Sequence, residues 1–238
     1  MHVTSRTNRG TEGRVNEDSL LVRRLDDGNL VLLMADGLGG HPGGEVASAL
    51  VCDCIENLPT QRFSGDLSEL LIEAGNAIIE HGSRHPAIDG MGSTATLTVL
   101  EADTIRWAHV GDTRLYHFSS GTLHSVTRDQ TLARQAYDDG EIRFEEIRGH
   151  RFNHVLEQCM GEDDIEPDSG AFSWQPGDIL LLSTDGLHDM MDHESIQDIL
   201  NTGTGIENMA DTLVENVLEA GGRDNISLIL AHHTAAGR

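Results

Sequence analysis

Four aspartates in this chain, Asp36, Asp112, Asp185 and Asp224, stand beside a glycine or in a glycine-rich turn, each where an apolar run ends or begins. Singly, an aspartate in such a place is an ordinary turn or cap residue, because its short side chain bonds the neighbouring backbone. Four in one chain ask for more. Carboxylates gathered at strand ends repel one another unless cations hold them together, and hard oxygen donors select Mg or Mn. Two such cations a few ångströms apart can polarise a phosphate and lower the pKa of a bridging water. The chemistry expected of these residues is therefore metal-assisted hydrolysis.

The elements that must position them follow from the pattern around them. Residues 30–35 form an unbroken apolar run ending at Asp36-Gly37, and 179–182 form another ending, after Ser183-Thr184, at Asp185-Gly186. Each reads as a buried strand that presents an aspartate at its end, followed by a glycine turn. Residues 93–100, 104–110, 114–118 and 226–231 are further strands, rich in Val, Ile, Thr and aromatics. Helical periodicity marks 45–58 and 67–81, the second opened by an Asp66 and Glu69 capping box, and a third helix spans 207–220, ended by Gly221-Gly222. Strands and helices do not alternate regularly, so a parallel doubly wound sheet is disfavoured, and the order suits an α+β fold of antiparallel sheets with helices outside.

A chain of 238 residues with 38% hydrophobic and 24% charged residues is expected to form one soluble globular domain, 1–238. The polar stretch 128–168, with Asp138-Asp139-Gly140-Glu141 and Glu145-Glu146, reads as a lid on that domain. Sixteen basic against 40 acidic residues give a net charge of -24, which disfavours nucleic acid and anionic membranes as partners. The polar first sixteen residues and the lack of a long apolar run point to the cytoplasm. Three cysteines, Cys52, Cys54 and Cys159, show no framework spacing and read as buried small hydrophobes.

Six stretches in order resemble the motifs of the protein phosphatase 2C-like metal-dependent phosphatases, in their compact bacterial form. They are Asn16-Glu17-Asp18-Ser19; Met34-Ala35-Asp36-Gly37-Leu38-Gly39-Gly40-His41 running on through Gly43-Gly44-Glu45; Gly92-Ser93-Thr94-Ala95-Thr96; His109-Val110-Gly111-Asp112-Thr113-Arg114; Ser183-Thr184-Asp185-Gly186-Leu187; and Gly221-Gly222-Arg223-Asp224-Asn225. The resemblance implies a sandwich of two antiparallel sheets flanked by helices, with a metal site in a cleft at one end. It implies that Asp36 bridges two Mn or Mg ions, that Gly37 offers its carbonyl, and that Asp185 and Asp224 complete the ligands. It further implies that Glu17 and Asp18 hold metal-bound waters, and that Asp112, Asp185 and Asp189 form a weaker third site. A water or hydroxide bridging the two ions would attack phosphoserine or phosphothreonine in phosphoproteins, substrates of a cognate serine/threonine kinase, without a phosphoenzyme. Residues 148–161 would form the flap over the cleft.

The chain departs from the family where a phosphate-gripping arginine is expected three residues before Asn16. That place is Gly13, and Arg14 stands one residue closer. A bulge at Gly13 would restore the aim of Arg14 toward phosphate, and Arg148 or Arg151 of the flap is the substitute if it does not. Among the histidines, His41 reads as a bystander, and His188 and His193 as surface residues. The rival reading is a non-catalytic phosphoprotein-binding or regulatory module on the same fold, which would have little need of Asp36, Asp185 and Asp224 together. An acidic calcium-binding protein is disfavoured because no EF-hand loop is present.

Overall fold

Residues 30–35 and 179–182 are apolar without a break because both faces of each strand are covered. The computed structural model describes residues 1–12, 15–40 and 42–234. In chain order its elements are β1 (His2–Asn8), β2 (Asp18–Arg24), β3 (Leu30–Asp36), α1 (Gly44–Glu56), α2 (Leu67–Arg84), β4 (Ala95–Leu100), β5 (Thr104–Val110), β6 (Arg114–Ser119) and β7 (Thr122–Ser125). They continue with α3 (Leu132–Asp138), β8 (Asp168–Ser173), β9 (Ile179–Ser183), α4 (Asp185–His188), α5 (His193–Leu200), α6 (Ile206–Glu219) and β10 (Ile226–His232).

The strands form two five-stranded sheets, ordered β1-β10-β9-β6-β7 and β2-β3-β4-β5-β8, with every pairing antiparallel. Side chains alternate across a strand. Leu30, Leu32 and Met34 of β3 therefore meet Leu180 and Leu182 of β9 between the sheets. Val31, Leu33 and Ala35 point the other way, under Val51 of α1 and Leu70 of α2. Ile179 and Leu181 of β9 likewise pack under Leu213 and Val217 of α6. The result is four layers, helix, sheet, sheet, helix. Each fully buried leucine contributes about 2 kcal/mol. The expected sandwich of antiparallel sheets flanked by helices is the fold found.

At the start of α2, Asp66 accepts a hydrogen bond from the Ser68 N–H at 2.9 Å. Among the described residues no bond returns from Glu69, so the cap is one-sided where a reciprocal box was expected. Cys52 and Cys54 lie half-buried on α1 against the first core, and Cys159 is buried. The stretch between β7 and β8 carries α3 and a 3₁₀ turn at Phe144–Glu146. Among the described residues no helix is long and apolar enough to cross a membrane.

Candidate metal centre

Strand ends from both sheets meet at one edge of the sandwich. The β2–β3 ladder sets Asp18 directly opposite Asp36. The Asp36 backbone is fixed on both sides: its N–H donates to Thr94 Oγ1 at 3.0 Å, and its carbonyl accepts from the Thr94 N–H at 2.8 Å and from Ser93 Oγ at 2.9 Å. In the other sheet β9 ends at Ser183, Thr184 stands just before α4 without a side-chain cap bond to it, and Asp185 is the first residue of that short helix. Thr184 Oγ1 donates to Asp18 Oδ2 at 3.1 Å, joining the two sheets beside the acids. Asp224 precedes β10, and its Oδ1 accepts from the Asn225 N–H at 2.7 Å. Asn225 Oδ1 in turn accepts from the Glu17 N–H at 2.7 Å, which ties the loop before β2 to the start of β10.

The two Asp-Gly pairs are explained by space. Gly37 is not in the left-handed region, and Gly186 lies inside α4, so neither makes the glycine turn expected from sequence. A Cβ on Gly37 would stand 2.2 Å from the Gly44 carbonyl oxygen, and one on Gly186 would stand 1.9 Å from the Asn225 carbonyl oxygen. Both contacts are with backbone, which cannot step aside. The glycines let a second chain segment press against each aspartate-bearing strand end.

The carboxyls brought together burden one another. Burial pushes the Asp36 carboxyl well above its ordinary value, and the charges of Asp185, Asp18, Asp112 and Asp224 push the same way. Asp185 is raised well above its ordinary value by burial and then by Asp112, Asp224, Asp189 and Asp18. Asp112 rises to about 7, through burial and then Asp129, with Arg114 opposing. Asp18, only 9% exposed, rises to about 6 through burial, although hydrogen bonds from Ser227 and Thr184 pull it down. Its Oδ1 is buried and has no hydrogen-bond partner among the described residues. Glu17 is raised by burial, then by Glu45 and Asp224. Asp189 is raised by burial, with His154 and Arg114 opposing.

His154 was not expected here. Its Nδ1 stands 3.2 Å from Asp189 Oδ2 and 3.9 Å from Asp185 Oδ2, so one nitrogen and two carboxylate oxygens gather within 4.8 Å. No local pattern marks His154, since only the folding of the 128–168 stretch over α4 brings it there. The reading of His188 as a surface residue is wrong. Its ring is 5% exposed, with Nδ1 2.9 Å from Ser183 Oγ, because the helical turn of α4 folds it back onto the end of β9. Burial holds it well below the usual imidazole range, so it stays neutral. His193 is exposed, as expected, with Nε2 2.9 Å from the Leu123 carbonyl oxygen. Gly13, Arg14 and His41 lie outside the described residues.

A family model for protein phosphatase 2C matches residues 7–220 of the chain. The serine/threonine protein phosphatase PstP of Mycobacterium tuberculosis is 33% identical over 235 residues, covering 97% of this chain and 45% of PstP. This chain thus spans about half the length of that relative. The serine/threonine phosphatase stp of Listeria welshimeri is 29% identical over 239 residues, covering 97% of this chain and 95% of its own. Among solved structures, the catalytic domain of PstP in complex with two manganese ions matches with a TM-score of 0.83 at 30% identity, over 98% of both chains.

Proposed function

The chain belongs to the protein phosphatase 2C family, and on that premise we propose that it is a metal-dependent phosphatase acting on phosphoserine and phosphothreonine in proteins. One observation carries the reading. Asp36 and Asp185 converge from strand ends of the two sheets, and each is pushed well up by burial and then by neighbouring carboxyls, Asp112 among them, an arrangement that costs stability unless cations are held there.

The donors fit a pair of hard divalent ions. They are carboxylate oxygens, and Asp18 Oδ1 is a buried acceptor in want of a donor such as an ordered water. Asp36, the Gly37 carbonyl, Asp185 and Asp224 would hold the two ions. When bound, Mn or Mg ions lower the pKa of water and offset charge on the transferring phosphoryl group. Asp18, fastened by Thr184, and Glu17, fastened through its N–H to Asn225, would orient water around the pair. Asp112, Asp185 and Asp189 would hold a weaker third ion.

The chain's own thiols take no part in this chemistry. Burial pushes Cys159 up to about 12, so it remains a thiol at neutral pH and is a poor nucleophile. His154, whose Nδ1 stands 3.2 Å from Asp189 Oδ2, is the histidine at the centre that could hand a proton to the leaving alkoxide. Arg14, beyond the described residues, is proposed to grip the phosphate. The substrates follow from the same reading: phosphoproteins, modified by a kinase that nothing in the site selects.

Release of p-nitrophenol from p-nitrophenyl phosphate tests the proposal, with added Mn, Mg, Ca or chelator. Activity is expected with Mn or Mg, to vanish in chelator, and to survive thiol-blocking reagents. Full turnover in excess chelator defeats it.

A further inference from the structure

All sixteen basic residues of this chain are arginine, and four of them, Arg114, Arg128, Arg134 and Arg148, line one cavity of about 600 Å³. The cavity lies between the β6–β7 hairpin, α5 and the stretch that carries α3. Asp189 is part of its wall as well as of the acidic centre, so the two spaces adjoin. Tyr116, Ile147, Met191 and Ile196 supply apolar wall.

The four guanidinium groups are unequally engaged. Arg114 is fully occupied, donating to both oxygens of Asp129 at 2.7 and 2.6 Å. Arg128 and Arg134 share a single carboxylate, Asp138, at 3.1 and 3.3 Å. Arg148 donates to the Asp189 carbonyl oxygen at 2.8 Å and, among the described residues, has no carboxylate partner at ion-pair distance. Of the other acids of the wall, Asp189 faces His154 and Asp192 caps α5 by accepting from the Ser195 N–H at 2.8 Å, and both act on Arg148 through charge without an ion-pair contact. At ion-pair distance three arginines thus have one carboxylate, Asp138, between them, in a chain whose net charge is -24.

We propose that this cavity is a specificity pocket for a carboxylate-bearing side chain of the phosphoprotein, flanking the phosphorylated residue, with Arg148 and Arg128 as its grips. The proposal rests on the phosphatase reading, since the acidic centre next door must hold the phosphate. A basic side chain gives Arg148 no acceptor, and an apolar one leaves that guanidinium without a carboxylate partner. A carboxylate accepts two parallel N–H bonds from a guanidinium and is bound with direction as well as charge. At 600 Å³ the cavity exceeds one acidic side chain, so the neighbouring residue of the peptide lies against Tyr116 and Met191.

The test uses the Mn-loaded protein and phosphothreonine peptides carrying one glutamate, placed in turn at each of the four positions before and after the phosphoresidue. Each peptide is compared with its glutamine twin. The wild type is expected to prefer glutamate at one or two positions by about tenfold in kcat/KM, the size of one charge-assisted contact. The double variant Arg128→Gln/Arg148→Gln is expected to lose that preference, and Arg148→Lys to keep part of it. Both arginines are exposed, so the variants should fold. Equal rates on glutamate and glutamine peptides at every position, or a preference that survives in the double variant, overturns the pocket while p-nitrophenyl phosphate is still hydrolysed. A wild type inactive on p-nitrophenyl phosphate with Mn overturns the phosphatase reading and the pocket with it.

Discussion

Asp178 and Asp185 flank the two ends of one strand, β9, the first buried and the second half-buried, and their surroundings are opposite. Burial raises Asp178 too, but hydrogen bonds from Ser119, the Gln175 N–H and His117 outweigh it and hold the carboxyl below its ordinary value. His117 Nε2 stands 2.9 Å from Asp178 Oδ2, and Phe172 packs against the His117 ring. At the other end Asp185 meets only like charges apart from His154, and is pushed far up. The first end is satisfied by the chain itself. The second is left unsatisfied by the chain, and that frustration is what singles it out as the end proposed to do chemistry.

The sharpest way to break this comparison is Asp36→Asn. Turnover on p-nitrophenyl phosphate should fall at least about 100-fold, some 2.7 kcal/mol in the barrier, while thermal melting in chelator stays the same or improves because repulsion is relieved. A variant that keeps more than about a tenth of wild-type turnover would show that the acidic end does not work through Asp36.

Asp112→Ala asks whether the acidic end holds one kind of ion or two. Turnover should drop about tenfold, with the tightly bound metal content unchanged by elemental analysis. Loss of all tight metal would make Asp112 a primary ligand and the assignment of the third site an error.

At the satisfied end, Asp178→Asn should cost about 1–3 kcal/mol of stability in urea unfolding and leave turnover at 25 °C untouched. If turnover fell as in Asp36→Asn, the two ends of β9 would not differ in kind.

The smallest effect is in pH. Asp18 and Asp112 titrate near about 6 and about 7 in the folded chain, against 3.8 ordinarily. Between those values the folded chain binds more protons than the unfolded one, so in chelator their contribution is full below 3.8 and is lost as pH rises through about 7. Melting temperature should fall by on the order of 5 °C across that window, and Mn should restore it at the upper end. Asp178 works in reverse: its contribution is present above 3.8 and is lost as pH falls through its lowered value. A melting temperature in chelator that climbs from pH 4 to pH 7 would contradict the frustrated cluster.

Much of this layout was legible in the chain. β3 and β9 announce themselves as continuous apolar runs, because helices cover one face of each sheet and the other sheet covers the second. The helices α1, α2 and α6 fall within one or two residues of their periodic patterns, apart from the last turn of α2 and the fraying of α1 before Leu58. The edge strands were not legible. β1 and β8 are polar and largely half-buried or exposed, and they are strands only because β10 and β5 offer them free backbone partners. β2 gave no signal of its own beyond the motif at its start, although β3 holds it in register over seven residue pairs.

The sequence by itself determined that aspartates end the central strands and that glycines follow them. Those facts are local, written in residue type and in periods of two and 3.6. Only the tertiary structure decided that Gly37 and Gly186 serve close approach instead of turning the chain, since the atoms they admit come from Gly44 and from Asn225. It likewise decided that His154 joins Asp185 and Asp189, that His188 is buried against Ser183, and that four arginines from β6, α3 and the loops between and after them surround one cavity. The physical reason for the first and the last is that the charge a residue feels is set by neighbours distant in the chain, and no local pattern records which neighbours the folded strands and helices will bring.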